Sequence, residues 1–227
     1  MKKKFNFKNK VILITGSAGI LGYTFTKSLL ESDAKVIATD IDIKILKSRY
    51  SDLKTKFNEK LLLCKCNVTK PNEIKKMMLI ALKEFKVINV LINNAASKSK
   101  NLNDFFAKFE DYKLNQWKEI MDVNITGMFN VAQIIGTQMV RQKIGGSIIQ
   151  IASIQGVIAP DHRVYKGSKY LGVKINNPAV YSVSKAGVIS LSKYLSTYWA
   201  KHNIRVNSIS PGGVKSGQNK IFVKKYS

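Results

Sequence analysis

Short apolar runs alternate with longer segments of mixed polarity along the chain, as they do where strands and helices follow one another. Apolar, β-branched runs typical of buried strands fall near residues 10–15, 35–39, 60–66, 87–93, 146–152 and 204–209. Segments with helical spacing of apolar positions fall near residues 20–32, 43–57, 71–85, 114–141 and 180–201. This alternation predicts an α/β fold in which a parallel sheet has helices on both faces. We therefore predict a single-domain doubly wound parallel sheet over residues 1–227, with ligands at the carboxyl ends of the strands.

The composition suits one globular domain in a reducing compartment. A chain of 227 residues with 45% hydrophobic content can bury one core and is short for two domains. Cys64 and Cys66 share one face of a predicted strand, where they are poor disulfide partners, and they lack metal-ligand spacing. The apolar stretch after Met1 is broken by polar residues, so no signal peptide or membrane span is expected. We expect a cytoplasmic protein with no metal site and no membrane partner.

The net charge of +24 invites a nucleic-acid partner, but the distribution of the charge argues against one. Arginine, the usual bidentate reader of bases and phosphates, occurs only at positions 49, 141, 163 and 205. The lysines are spread through the chain rather than gathered in a stripe, so we predict solvated faces and no nucleic-acid binding. A second interpretation is that the positive field attracts anionic substrates such as sugar phosphates or nucleotide sugars.

A glycine-rich turn joins the first predicted strand to the first predicted helix. Gly16, Gly19 and Gly22 are spaced so that the backbone can approach a pyrophosphate closely, and the helix N-terminus supplies N–H groups. Ser17 and Ile20 belong to the same turn. On its own, the pattern also fits an ordinary tight turn.

An acid at the end of the second predicted strand adds to the glycine signal. Asp40 lies eighteen residues beyond Gly22, close to the ~20 residues expected for a carboxylate that binds the adenosine ribose. Such a carboxylate would repel a 2′-phosphate, which favours NAD over NADP. Asp42 is a competing candidate, and either acid could simply be a solvated loop residue.

Tyr181 and Lys185 lie four residues apart in a predicted helix and therefore share one face. A nearby ammonium group favours the phenolate and moves the pKa of the tyrosine, ~10 when unperturbed, towards neutrality. The hydroxyl of Ser153 could hold a carbonyl or alcohol oxygen beside them. This set is typical of sites that move a proton while a hydride moves elsewhere.

A second pair fits the same spacing. Tyr165 and Lys169 lie twelve and sixteen residues after Ser153, whereas Tyr181 lies twenty-eight after it. Glycine and proline follow Tyr165 and would interrupt a helix there, while a long helical pattern follows Lys185. We therefore assign the chemistry to Tyr181.

In these motifs and their order the chain resembles the short-chain dehydrogenase/reductase family over about residues 10–214. The matching residues are Thr15-Gly16 with Gly19 and Gly22, Asp40, Asn67-Val68, Asn93-Asn94-Ala95-Ala96, Asn124, Ser153 with Gly156, Tyr181 with Lys185, and Pro211-Gly212. The resemblance implies a Rossmann-type fold and an NAD(H)-dependent oxidoreductase that acts on CH–OH groups. The segment at residues 151–160 also resembles members associated with flagellin modification and surface-sugar synthesis, which implies a sugar or nucleotide sugar as substrate.

The resemblance also implies roles for individual residues. Tyr181 would be the general acid/base and Lys185 would lower its pKa while binding the nicotinamide ribose; Ser153 would hold the reacting oxygen and Asn124 would anchor a relay water. The other cofactor contacts it implies are Asn67, Val68, Asn93 and Ala95, and, against the nicotinamide, Pro211, Gly212 and Val214.

The chain departs from the family pattern in several places. Asn67 stands where aspartate is usual and Ala96 where glycine is usual, and neither change removes a catalytic group. Residues 158–180 form an insertion that we expect near the active-site mouth, although a surface excursion without a role is the alternative.

The end of the chain differs as well. The chain stops at Ser227, so by the family pattern we expect the last sheet strand to be missing and the strand near 204–209 to have an open edge. We expect a homo-oligomer, a dimer before a tetramer. The alternative to an enzyme is a non-catalytic dinucleotide-binding relative with a regulatory or structural role.

Overall fold

The computed structural model describes residues 5–99 and 101–226; the ends of the predicted 1–227 domain and Met1 lie outside the described residues. Its strands are β1 Val11–Thr15, β2 Lys35–Asp40, β3 Leu61–Lys65, β4 Val90–Asn93, β5 Gly146–Ile151, β6 Lys169–Tyr170, β7 Val173–Lys174 and β8 Ile204–Ile209. Six of them form one sheet in the order β3-β2-β1-β4-β5-β8, in which every pair is parallel. This confirms the predicted single doubly wound α/β domain.

Each predicted helical segment is helical in the structure. The helices are α1 Ile20–Glu31, α2 Ile43–Arg49, α3 Ser51–Lys56, α4 Pro71–Phe85, α5 Leu102–Phe105, α6 Leu114–Met121, α7 Met128–Gln142, α8 Ala179–Tyr198 and α9 Lys220–Tyr226. Two short helices, α5 and α9, lie outside the predicted segments. The predicted helix 43–57 divides at Tyr50, and the predicted helix 114–141 contains a π-helical segment at Asp122–Gly127. None of the helices in the described part of the chain is long and apolar enough to cross a bilayer.

The core lies on both faces of the sheet, because alternate side chains of the central strands point to opposite sides. On one face, Leu13 of β1 belongs to a buried cluster with Ile135 of α7 and Leu195 of α8. On the other face, Ile12 belongs to a cluster with Leu30 of α1 and Leu46 of α2. Every residue of β1 is buried, which fixes the strand that carries the glycine turn at its end.

Strand β8 lies at the edge of the sheet, with β5 as its neighbour. Within residues 5–99 and 101–226 no further strand pairs with it.

The insertion at residues 158–180 is ordered into a 3₁₀ turn at His162–Tyr165 and the antiparallel hairpin β6–β7, and its last residues begin α8. The hairpin is joined to the C-terminal segment: Leu171 N donates to Gly217 O at 3.0 Å, and Asn219 N donates to Lys169 O at 2.9 Å.

Candidate active site

A cleft of about 550 Å³ opens at the carboxyl ends of β1, β2, β4, β5 and β8. This is where ligands bind in doubly wound sheets. The predicted site residues on its wall are Gly16, Gly19, Ile20, Asp40, Ser153, Tyr181, Lys185, Pro211, Gly212 and Val214. Two other depressions are more open to solvent. One lies beside α2 and α3 and the other beside α6, and neither contains a predicted site residue.

The glycine turn is built so tightly that side chains are excluded from it. Gly16 has φ +63°, and a Cβ added there would lie 2.8 Å from the Cα of Ala95. A Cβ on Gly22 would lie 2.4 Å from the carbonyl oxygen of Gly16. The backbone of the turn therefore forms the cleft surface itself, and α1, which starts after Gly19, has no side-chain cap on its first N–H groups. A free helix N-terminus beside a bare backbone turn fits the pyrophosphate of a dinucleotide.

The two candidate acids after β2 have different tasks. One carboxylate oxygen of Asp40, on the cleft wall, accepts a hydrogen bond from Ala18 N at 2.9 Å and so closes the glycine turn. Asp42 instead caps α2, because its carboxylate accepts from Lys44 N and Ile45 N at 2.9 and 3.0 Å. Of the two acids, Asp40 is therefore the one placed to meet a ribose.

Several predicted cofactor contacts lie behind the cleft wall, where they support it. The amide of Asn93 is fully buried: its oxygen accepts from Thr15 Oγ1 at 3.2 Å and its nitrogen donates to Met128 O at 2.8 Å. Ala95 N donates to the same Thr15 hydroxyl at 3.0 Å. Ser17 Oγ donates to Ile14 O at 2.9 Å and accepts from the backbone of β2. The polar atoms described here are thus engaged inside the protein, and the predicted cofactor contacts of Asn93, Ala95 and Ser17 stay predictions.

Asn67 and Val68 also lie outside the wall of the cleft. The Asn67 side chain accepts hydrogen bonds from the backbone and hydroxyl of Thr69 at 3.0 Å, which folds the loop before α4. Val68 is buried against Gly127, where an added Cβ would approach its side chain to 2.7 Å. Gly22 likewise lies in close contact with neighbouring backbone. The predicted contacts of Asn67 and Val68 with the adenine stay predictions.

Asn124 lies in the π-helical segment Asp122–Gly127, an irregularity often found at functional sites. It is fully buried; its amide oxygen accepts from Ser97 N at 2.8 Å and its nitrogen donates to Ser184 Oγ at 3.4 Å. Ser184 Oγ in turn donates to Tyr181 O at 2.9 Å. Asn124 therefore connects the cleft-lining segment after β4 to the turn of α8 that carries Tyr181, and its predicted role in a water relay stays a prediction.

Ser153, Tyr181 and Lys185 meet in the cleft as expected. Tyr181 and Lys185 lie one turn apart on α8, and the Lys185 ammonium is 5.9 Å from the centre of the Tyr181 ring. The Ser153 side chain acts on the Tyr181 phenol by lowering its pKa, against the larger opposing effect of burial. Lys185 is only 3% exposed, and its ammonium donates to Ile151 O at 2.8 Å.

Burial shifts the pKa values of both Tyr181 and Lys185. Burial raises the pKa of Tyr181 above the ordinary value of a tyrosine, with the Ser153 side chain acting in the opposite direction and Tyr226 adding to the rise. Burial also lowers the pKa of Lys185 to about 8. The net direction for Tyr181 is therefore upward in this structure, and the predicted lowering of its pKa by Lys185 stays a prediction. The phenol is protonated near neutral pH.

The competing pair does not form a site of the same kind. Tyr165 ends a 3₁₀ turn, Gly167 follows with φ +75°, and Lys169 is an exposed residue of β6. The two side chains therefore do not share a helix face. Tyr165 does line the cleft, where burial raises its pKa to about 12.

Residues of the insertion line the cleft together with C-terminal residues, whose part in the site the sequence analysis does not predict. The rings of Tyr165, Phe222 and Tyr226 form a ladder, with centroid distances of 6.0 and 5.2 Å between successive rings. Tyr226 rests on the backbone of Gly213, where an added Cβ would lie 2.6 Å from the ring. Other cleft-lining residues that sequence analysis missed as site residues are Leu21, Asn94, Ala96, Ser97, Lys98, Gln155, Tyr170, Asn177, Ser216 and Gln218.

Comparison with known proteins places this arrangement among enzymes. The sequence profile described as short chain dehydrogenase matches residues 10–174, and one described as Enoyl-(Acyl carrier protein) reductase matches residues 170–225. The NAD-dependent glycerol dehydrogenase of Listeria innocua is 31% identical over 211 residues, which cover 92% of this chain and 72% of that protein. The Post-translational flagellin modification protein A of Campylobacter coli is 26% identical over 219 residues, covering 96% and 82%. The crystal structure of a short chain dehydrogenase from Leptospira borgpetersenii with bound NAD⁺ superposes with a TM-score of 0.78 at 31% identity, covering 97% of this chain and 78% of that one.

Proposed function

The chain belongs to the short-chain dehydrogenase/reductase family, and from this we propose that it is an NAD(H)-dependent oxidoreductase that interconverts a secondary alcohol and a ketone. Family membership makes it a nicotinamide-dependent oxidoreductase of CH–OH groups. The preference for NAD, the substrate and the residue roles are the proposed part.

The observation that carries the proposal is the triad of Ser153, Tyr181 and Lys185 on one wall of the cleft. A bound nicotinamide would supply or accept the hydride. The Ser153 hydroxyl holds the substrate oxygen beside the Tyr181 phenol, since both side chains line the same cleft. Because burial raises the pKa of Tyr181, the phenol holds its proton near neutrality and can donate it to the carbonyl oxygen during reduction. In the reverse direction the phenolate removes the hydroxyl proton of the alcohol.

The residues at the other end of the cleft suit NAD. The turn at Gly16 and the uncapped start of α1 would hold the pyrophosphate, and the Asp40 carboxylate would bind the ribose hydroxyls. Asp40 disfavours a 2′-phosphate through charge repulsion. The NAD-dependent relative and the relative with bound NAD⁺ support this preference.

We propose a polyol, sugar or nucleotide sugar as the substrate. The glycerol dehydrogenase and the flagellin modification protein among the relatives support this choice. The substrate end of the cleft combines aromatic rings with uncharged polar side chains, such as Gln155 and Asn177. Surfaces of this kind suit a compound with both hydroxyls and C–H faces.

A homodimer is the proposed assembly. Tyr194 and Tyr198 of α8 are 61% and 58% exposed, and their rings stack at 5.7 Å on the outer side of the helix. Exposed apolar surface of this kind is typical of interfaces. Light scattering on the purified chain should give the mass of a dimer, and a stable tetramer would contradict this assignment.

Two measurements test the function. Titration with NADH should give saturable binding, and titration with NADPH should give a much lower affinity. Incubation with NAD⁺ and a panel of secondary alcohols and polyols should form NADH. Tight cofactor binding without turnover on the whole panel, in both directions, would favour the alternative of a non-catalytic dinucleotide-binding relative. Absence of cofactor binding would reject both.

A further inference from the structure

One cleft residue carries a polar atom that has no hydrogen-bond partner among the described residues. Gln155 lines the cleft two residues after Ser153. Its amide oxygen Oε1 is sealed from water and receives no hydrogen bond from any described residue. Buried acceptors in native proteins are nearly always paired, so an orphan on the wall of a ligand cleft indicates a missing donor.

The turn that carries Gln155 is held firmly in place. Gln155 N donates to Ser153 Oγ at 3.3 Å, and Ile154 N donates to Pro211 O at 3.0 Å. At Gly156 the turn touches α8 so closely that an added Cβ would lie 2.6 Å from the carbonyl carbon of Lys185. The backbone of Gln155 is thereby fixed relative to both Ser153 and Lys185. Only its side chain is adjustable, and rotation about the last torsion of a glutamine is nearly free, so the oxygen can turn into the cleft.

A second glutamine in the same cleft shows the contrast. The amide of Gln218 is fully used: its oxygen accepts from Ser216 N at 2.7 Å and its nitrogen donates to Val214 O at 3.0 Å. Gln218 therefore shapes a loop, whereas no such task accounts for the amide oxygen of Gln155.

We propose that Gln155 is a specificity-determining residue whose Oε1 accepts a hydrogen bond from a second substrate hydroxyl, on a carbon beside the reacting one. The inference rests on the proposed function, because Ser153 must hold the reacting oxygen for Gln155 to reach its neighbour. The preferred substrate is then a vicinal diol, oxidised to an α-hydroxy ketone. The carbon skeleton faces the aromatic ladder of Tyr165, Phe222 and Tyr226. An acceptor that is paired only when the second hydroxyl is present discriminates against substrates that lack it.

The test compares butane-2,3-diol with butan-2-ol, which differ only in the second hydroxyl, as substrates with NAD⁺. The unmodified protein should have the higher kcat/KM for the diol. Gln155→Met keeps the length of the side chain and removes the acceptor, so it should lower kcat/KM for the diol roughly tenfold and leave butan-2-ol nearly unchanged. Gln155→Glu retains an acceptor and should restore part of the preference.

Gln218→Met is the matched control. It disturbs the loop at residues 214–218 and should affect both alcohols to the same extent. Equal kcat/KM for the two alcohols in the unmodified protein, or equal losses in Gln155→Met, would overturn the role of Gln155 while leaving the dehydrogenase in place. If no NADH forms from butane-2,3-diol, from butan-2-ol or from any other alcohol of the panel, the result would instead count against the proposed function. A Gln155→Met protein with unchanged NADH affinity excludes misfolding as the cause of a selective loss.

Discussion

The regions around Tyr165 and Tyr181 present the same sequence pattern, a tyrosine followed four residues later by a lysine, in two unlike structures. Tyr181 and Lys185 share a helix face, and the lysine is buried against the carbonyl of Ile151. Between Tyr165 and Lys169 lies Gly167, whose backbone has a left-handed conformation, and Lys169 begins the first strand of a hairpin. Residue spacing therefore specifies a catalytic pair only where the backbone is helical, because only there do positions i and i+4 meet.

The two acids at the end of β2 show a similar contrast between matching sequence signals and different structures. Asp40 and Asp42 are two residues apart, and both were candidates for the ribose contact. Asp42 is committed to capping α2, while Asp40 faces the cleft. Asp40 also has a structural task, because its carboxylate accepts from Ala18 N, but of the two acids only Asp40 lines the cleft.

Replacing the two tyrosines separately gives the largest expected effect. Tyr181→Phe keeps the ring and removes the phenol, so turnover should fall by ~10²–10⁴-fold while NADH binding persists. Tyr165→Phe should change KM at most, since its hydroxyl lies on the cleft wall without a lysine beside it. Steady-state kinetics and a cofactor titration measure the two effects. The assignment fails if Tyr165→Phe is the inactive variant and Tyr181→Phe turns over normally.

The pH dependence of the two reaction directions sharpens the same contrast. Burial raises the pKa of Tyr181, so near neutrality the phenol is protonated. Alcohol oxidation needs the phenolate and should accelerate with pH, by about tenfold for each unit below the pKa, whereas carbonyl reduction should be favoured at lower pH. Initial rates in both directions across the alkaline range measure this. An oxidation rate that is flat from neutral to alkaline pH, with chemistry limiting, would mean that Tyr181 is not the base.

The fold can be predicted from the sequence because strands and helices are local patterns of apolar residues. The proximity of Ser153, Tyr181 and Lys185 can also be predicted, because they lie on well-marked elements or directly after one. Features that depend on contacts between distant segments cannot be predicted from such local patterns. The burial of Asn93, the raised pKa of Tyr181 and the pairing of the insertion with residues 217–219 each depend on such contacts.

The lysines of the two pairs should differ in their effect on stability. Burial lowers the pKa of Lys185 from 10.5 to about 8 in the folded protein. Between these two values the unfolded chain binds a proton that the folded protein has lost, so stability rises with pH across that window. The gain is up to about 3 kcal/mol, since one pKa unit corresponds to ~1.4 kcal/mol. Below pH ~8 the full burial cost remains, because Lys185 is charged in both states.

Comparison with variants isolates this contribution. Denaturant unfolding at several pH values should show the rise in the unmodified protein relative to Lys185→Met, because the tyrosines titrate alike in both. Lys169→Met is the matched control, and it should follow the unmodified protein at every pH because Lys169 is exposed. Parallel pH profiles for the unmodified protein and Lys185→Met would contradict the lowered pKa.

The two acids give the smallest expected effect, on cofactor choice. Asp40→Ala removes the charge that would repel a 2′-phosphate, so the preference for NADH over NADPH should narrow by roughly tenfold. Arg49, whose guanidinium donates to Ala18 O at 3.0 Å, lies beside the same turn and would be left as the charged neighbour of that phosphate. Asp42→Ala should leave the preference intact and cost about 1 kcal/mol of stability through the lost helix cap. Affinities for both cofactors, measured by fluorescence titration with all three proteins, decide the assignment. The assignment of the ribose contact to Asp40 is supported if only Asp40→Ala reduces the difference in affinity between NADH and NADPH. It fails if Asp42→Ala reduces that difference or if the unmodified protein binds both cofactors equally.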